Sequence, residues 1–152
     1  MDADLLRSVP FLQNLTEEEL RVFADLLTLR EVAPQTKILT GGEPVHEFCI
    51  VCTGTVHAKR VAQKREVLLG RIPPGGFFGE INLFDAGVAT ASVYAVDKAT
   101  LACVDYETLR DFLSAHPVIG YKIVSSLMAE LARRLRQTDN RVVTALFWAS
   151  QR

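Results

Sequence analysis

The chain has no apolar run near the roughly 20 residues that a bilayer span requires, which argues against a transmembrane helix. It has no excess of charge either. Seventeen Lys and Arg face eighteen Asp and Glu, a net charge of −1, so no overall field draws in nucleic acid. The start, Met1-Asp2-Ala3-Asp4, is acidic where a secretory signal would be basic, and a cytoplasmic protein is expected. Cysteine is sparse: three, at 49, 52 and 103. Cys49-Ile50-Val51-Cys52 has the spacing of metal and redox motifs, but it lies in a β-rich run. Residues three apart on a strand point to opposite faces, so these two thiols cannot share a ligand. No second such pair completes a zinc site, and the cysteines read as buried small hydrophobes. Catalytic groupings are also lacking. His46, His57 and His116 have no nucleophile beside them, and Glu80 has no second carboxylate at a readable spacing. Neither an enzyme nor a metal centre is expected, and no cofactor is implied.

What is present is one domain's worth of chain, 152 residues with 49% hydrophobic content, enough to bury a core. Residues 1–30 read as N-terminal helices. After a lead-in ending near Pro10, Thr16-Glu17-Glu18-Glu19 forms a capping box. Leu20, Phe23, Leu26, Leu27 and Leu29 then follow a helical face, so a helix is expected to continue to about Arg30. Residues 31–104 turn to short β runs: 31–33, 37–40, 47–52, 55–61, 66–72, 90–95 and 100–104. Turns at Gly41-Gly42, Thr53-Gly54, Gln63-Lys64, Pro73-Pro74-Gly75-Gly76 and Asp97-Lys98 punctuate them. About eight strands so spaced predict a mainly β jelly-roll or barrel with flanking helices. A single helical turn at 80–84 interrupts it and is expected to border a cavity.

The short helix of residues 105–116 closes at His116-Pro117. From 117 to 149 only Gly120 breaks a run free of glycine and further proline, which predicts one long helix of about 45 Å. Met128, Leu131, Leu135, Thr138, Val142, Ala145 and Ala149 keep 3-4 spacing, the seam of a two-helix contact. A homodimer through residues 118–149 is the simplest cover for it.

The organising stretch is Gly75-Gly76-Phe77-Phe78-Gly79-Glu80-Ile81-Asn82-Leu83-Phe84. Glycines at a strand-to-helix junction let backbone approach a ligand and leave free N–H groups for an anion. Glu80 cannot hold that anion but can accept from neighbouring hydroxyls. An anion beside a diol describes a ribose phosphate; a bland aromatic-covered turn is the alternative.

In order and spacing the chain resembles the cyclic nucleotide-binding domain, in particular the sensor half of catabolite-activator-type (Crp/Fnr) regulators. Ile38-Leu39-Thr40-Gly41-Gly42-Glu43 and Ile50-Val51-Cys52-Thr53-Gly54-Thr55-Val56 resemble the family's glycine turns. Phe78–Phe84 resembles its phosphate-binding cassette, and Ala132-Arg133-Arg134-Leu135 its dimerisation helix. The resemblance implies an eight-stranded jelly roll (double-stranded β-helix) with an inserted cassette helix. It also implies a regulatory domain that binds cAMP or another cyclic nucleotide and relays occupancy through the long helix to an unknown protein partner. The implied ligand-binding residues are Phe78, Gly79, Glu80, Ile81, Leu83, Ala89, Thr90 and Ala91, with Thr138 and Asp139 toward the base. Glu80 would take the ribose 2′-hydroxyl.

One position departs from the family. Where its arginine pairs with the phosphate, this chain has Ala89, in Ala89-Thr90-Ala91-Ser92-Val93. An arginine fork supplies two charge-assisted hydrogen bonds, each worth about 1.5–3 kcal/mol. Without it Glu80 faces the phosphate uncompensated, with only Arg71 and Lys98 within imaginable reach. A degenerate roll acting as a dimeric scaffold without nucleotide is therefore the alternative. The family's helix-turn-helix follows the long helix, whereas this chain stops at Arg152, so DNA binding by this chain is not expected. Arg133, Arg134, Arg136 and Arg141 read as the solvated flank of a coiled coil. Phe147-Trp148 reads as an aromatic end that either docks on a partner or packs on the roll.

Overall fold

In a computed structural model of the chain, which describes residues 1–152, two four-stranded antiparallel sheets face one another. One has the order β1 (Thr28–Val32), β8 (Ala99–Asp105), β3 (Glu47–Thr53), β6 (Phe77–Phe78). The other runs β2 (Lys37–Leu39), β7 (Ser92–Ala95), β4 (Val56–Ala62), β5 (Arg65–Ile72). This is the jelly roll that the turn spacing predicts. The eighth strand is the aromatic pair Phe77–Phe78, too short for periodicity to reveal; it pairs with Cys49 and Ile50.

Strand β3 shows why its sequence is apolar on both faces. Cys49 and Val51 point between the sheets, with Val56, Val93 and Leu101. Phe48 and Ile50 point outward, under a helical layer that contributes Leu6, Phe11, Phe23, Leu109 and Ile123. A strand covered on both sides gains nothing from alternation, hence the unbroken run. Phe11, Phe48 and Phe77 meet in that layer, centroids 5.0–6.1 Å apart.

Helix α1 (Glu17–Ala24) opens with the expected reciprocal capping box at Thr16 and Glu19. It ends six residues before Arg30. Leu26 and Leu27 donate to carbonyls three residues back, a tightening turn, and Thr28–Val32 joins the ladder beside β8. Leu27 is buried all the same, whereas Leu29 sits exposed on β1. The apolar spacing was continuous, but pairing with β8 satisfies more backbone groups than another helical turn. Thr90 and Ala91 stay in the loop before β7.

The cysteine reading needs correction. Cys49 on β3 and Cys103 on β8 are directly opposite in the ladder and joined as a disulfide, 54 residues apart in sequence. Cys52 is the free cysteine, half-buried on the opposite face of β3 from Cys49, as strand alternation requires.

Helix α3 (Tyr106–Ala115), capped by Asp105, leads into α4 (Pro117–Ser150), 34 residues and about 51 Å long. Gly120 allows the two helices to touch: a Cβ there would lie 2.6 Å from the Leu113 carbonyl oxygen. Only the first three turns of α4 are buried, through Ile119, Ile123 and Leu127. Beyond them it keeps touch with the roll through Arg134, which reaches Glu80 and the Phe77 ring. From Leu135 on it is exposed, and Phe147 and Trp148, 57% and 65% exposed, pack on each other. No helix is long and apolar enough to cross a membrane.

Candidate functional site

A cavity of about 1010 Å³ lies between the roll, the cassette turn and α4. Its floor starts at Gly79, which takes φ 86° and ends β6. A side chain there would collide with the Glu47 carbonyl oxygen, so only glycine allows β6 to pass so close to β3 and still turn into α2 (Glu80–Phe84). The first residue of α2 is Glu80.

Glu80 is 7% exposed and faces Arg134 of α4, Oε1 to Nη1 at 3.5 Å. Burial pushes its carboxyl above the usual carboxylate range; its own amide and Arg134 pull the other way without prevailing. At that separation the pairing is loose, and desolvation dominates. Arg134 is itself positioned three ways. Its guanidinium carbon lies 4.6 Å from the centre of the Phe77 ring, its Nε donates to Glu130 at 3.0 Å, and its Nη1 reaches Glu80. Arg133 donates to the same Glu130 at 3.0 and 2.5 Å. Burial lifts the Glu130 carboxyl, but these two arginines outweigh it and hold it below its ordinary value.

The lining carries four arginines, Arg71, Arg133, Arg134 and Arg141, against two acids, Glu80 and Glu130. The excess is positive, and that revises the charge problem posed by Ala89. Arg133, Arg134 and Arg141 of α4 line the cavity, Arg134 half-buried and the other two exposed as a solvated flank would be; Arg136 lies off the cavity. Arg71 on β5 lines it as expected. Lys98 does not, being occupied with Glu31 at 3.4 Å.

Of the residues read from the sequence, Phe78, Gly79, Glu80, Ile81, Ala89, Thr90, Ala91 and Thr138 all line this cavity. Leu83 and Asp139 do not. Leu83 is 1% exposed and turned into the core, the apolar side of an amphipathic turn. Asp139 is one residue past Thr138, about 100° further round α4, and faces solvent. The Thr138 hydroxyl donates back to the Arg134 carbonyl at 3.0 Å. Ala89 is buried, and its amide donates to Glu43 at 2.8 Å, so that N–H is not free for a phosphate.

Two supports escaped the sequence reading because they come from α3. The Tyr106 hydroxyl donates to the Gly79 carbonyl at 2.5 Å, and Arg110 donates twice to the Leu83 carbonyl, at 3.1 and 2.9 Å. One helix thus holds both ends of α2. Burial, with Glu80 nearby, pushes the Tyr106 hydroxyl up to about 12, so it remains a donor at neutral pH.

Comparison with known proteins agrees with this geometry. Residues 29–116, more than half of the chain, match the model of the cyclic nucleotide-binding domain. A CRP-like cAMP-activated global transcriptional regulator of Mycobacterium tuberculosis is 32% identical over 111 residues, 72% of this chain and 48% of that protein. A cAMP-dependent protein kinase regulatory subunit of Colletotrichum orbiculare is 32% identical over 120 residues, 79% of this chain and 30% of its own. The chain thus spans about half or less of these relatives' length. The crystal structure of the Thermus thermophilus catabolite activator protein superposes with a TM-score of 0.79 at 28% identity, over 88% of this chain and 61% of that one. Roll, cassette turn and long helix therefore have one source: the chain belongs to the cyclic nucleotide-binding domain family.

Proposed function

We propose that this chain is a sensor unit whose cavity takes a cyclic nucleotide and whose α4 carries the signal of occupancy to a partner. The observation that carries the reading is Glu80, buried in the cavity and facing Arg134 of α4 across 3.5 Å. A ribose hydroxyl donating to Glu80 and a phosphate drawing on Arg134 and Arg71 would engage both walls at once. The ligand then favours the placement of α4 that closes on it, and only that difference in affinity moves the helix. A second copy docked along the exposed seam of α4 is the partner we infer for the helix, forming a homodimer.

Thermal unfolding with cAMP, cGMP and cyclic dinucleotides tests the reading. A ligand at 100 times its dissociation constant adds about 2.7 kcal/mol of stability, several degrees for a domain of this size. A selective rise with one nucleotide supports the sensor. A flat panel favours the scaffold reading, which Ala89 and its engaged amide support. Ala89→Arg separates the two: an intact pocket should gain about two to four decades of cyclic-nucleotide affinity. No gain means a cavity that is no longer a nucleotide site.

A further inference from the structure

Away from the cavity walls, the disulfide partners form the one cluster of reactive side chains that the ligand site does not use. Cys49 and Cys103 are directly opposite across β3 and β8, Cα atoms 4.2 Å apart. Facing positions in an antiparallel ladder hold two side chains together whether or not they are bonded. Both are buried, Cys49 completely and Cys103 at 6% exposure, so as thiols they would pack as small hydrophobes in the same space. They are also accompanied by a cation. Arg30 of β1 places Nη2 at 3.9 Å from the Cys49 sulfur while Nη1 bonds Glu47 at 2.7 Å. Although Glu47, Cys49 and Cys103 bring three metal-type donors within 4.8 Å, the guanidinium already supplies the positive charge there. Burial disfavours thiolate, the form that reacts with oxidants, and a cation beside the sulfur works against that, which makes Arg30 the group on which reactivity depends.

The position of the pair gives it a consequence. On β3, Cys49 pairs with Cys103 on one side and with Phe78 on the other, and the next residue after Phe78 is Gly79. Glu47, two residues along β3 and bonded to Arg30, is the residue whose carbonyl closes against Gly79. The sulfurs therefore sit one strand away from the turn that presents Glu80.

We propose that Cys49 and Cys103 are a reversible dithiol–disulfide pair, oxidised by peroxide, which stiffens β3 behind the Gly79–Glu80 turn when bonded. One thiolate attacks a peroxide oxygen, giving a sulfenic acid and releasing hydroxide as the O–O bond breaks. The second thiol attacks the sulfenic sulfur, forms the S–S bond and expels water; its proton and the first thiol's end on oxygen. Two thiols and one peroxide thus yield one disulfide and two waters. A thiol reductant reverses it through a mixed disulfide.

The test needs no nucleotide, so it stands apart from the sensor reading. The protein is fully reduced, treated with hydrogen peroxide, then unfolded in denaturant so that every remaining thiol is accessible, alkylated and mapped by mass spectrometry. Cys49 and Cys103 should become protected together while Cys52 stays labelled, and reductant should restore all three thiols. Hydrogen exchange at residues 78–83 should slow several-fold in the oxidised protein. Arg30→Met, at a partly exposed position, should slow bridge formation several-fold while leaving its endpoint unchanged. Cys103→Ala and Cys49→Ala, each tested separately, should abolish the exchange response to peroxide. The proposal is overturned if peroxide leaves both cysteines open to alkylation, if Cys52 is consumed in their place, or if the bridge forms without any change in exchange at 78–83.

Discussion

A carboxylate is an unusual group to bury, and Arg134, 3.5 Å from Glu80, offsets only part of the cost. Desolvation still wins, holding the carboxyl above its ordinary value. A group whose folded value is raised stabilises the fold at pH below its unfolded value, and that contribution is lost as pH rises through the folded value. Glu80→Gln does not titrate. Its melting temperature relative to wild type should therefore climb as pH rises from the ordinary glutamate range, then level off above the folded value. Parallel pH–melting curves for the two proteins would count against this account. On the proposed reading the same titration should appear in binding: a ribose hydroxyl donates more strongly to an ionised carboxylate than to a neutral carboxyl, so nucleotide affinity should fall as pH drops through the window, and Gln should remove that dependence. At this scale the sequence was informative about Gly79 and Glu80, since both follow from what a strand-to-helix turn must present. It named Arg134 only as part of a dimerisation helix and a solvated flank, with no contact to Glu80. An arginine on a charged helix face looks solvated until the roll brings Phe77 and Glu80 beneath it, and no local pattern encodes that meeting.

Among the elements, α2 is the most dependent on its surroundings. At five residues it lies well below the length at which a helix holds itself, and its N-cap, Gly79, supplies no side-chain hydrogen bond. Its order comes from α3, through Tyr106 on the Gly79 carbonyl and Arg110 on the Leu83 carbonyl. Tyr106→Phe leaves the first carbonyl without its donor, and Arg110→Met strips the second of both. Each should cost about 1–3 kcal/mol of stability and loosen residues 79–84 ahead of the rest of the chain. Hydrogen exchange of the α2 amides reports this directly. Uniform loss of protection over the whole roll would mean that α3 stabilises the fold at large and not the cassette. Elements with their own periodicity or turn chemistry, such as α4 and the glycine-bounded strands, were legible in the sequence. Those defined by pairing were not: Phe77–Phe78 is a strand only because β3 offers it an edge, and Thr28–Arg30 left a helical pattern for β8.

For the molecule as a whole, the outstanding fact is the length of α4 left without cover. Met128, Leu135 and Val142 are 61%, 62% and 51% exposed, in a 3-4 register that continues to Ala149 past the end of the roll. Apolar residues so arranged on a helix lose little by being exposed singly, but a continuous stripe is what a second helix buries. The cavity gives that contact a use. Arg133, Arg134, Gln137 and Thr138 wall the cavity from the same helix that carries Met128, Leu135 and Val142, so a shift of the seam is also a shift of the wall. We therefore expect sedimentation of the wild-type protein to report a dimer. Leu135→Glu combined with Val142→Glu should convert it to monomer, with the far-UV spectrum retained. Both positions are more than half exposed in the isolated chain, so a loss of stability well beyond about 0.5 kcal/mol measures the contact between copies rather than damage to the roll. A wild-type monomer at high micromolar concentration, with or without nucleotide, would rule out the second copy as the cover for α4.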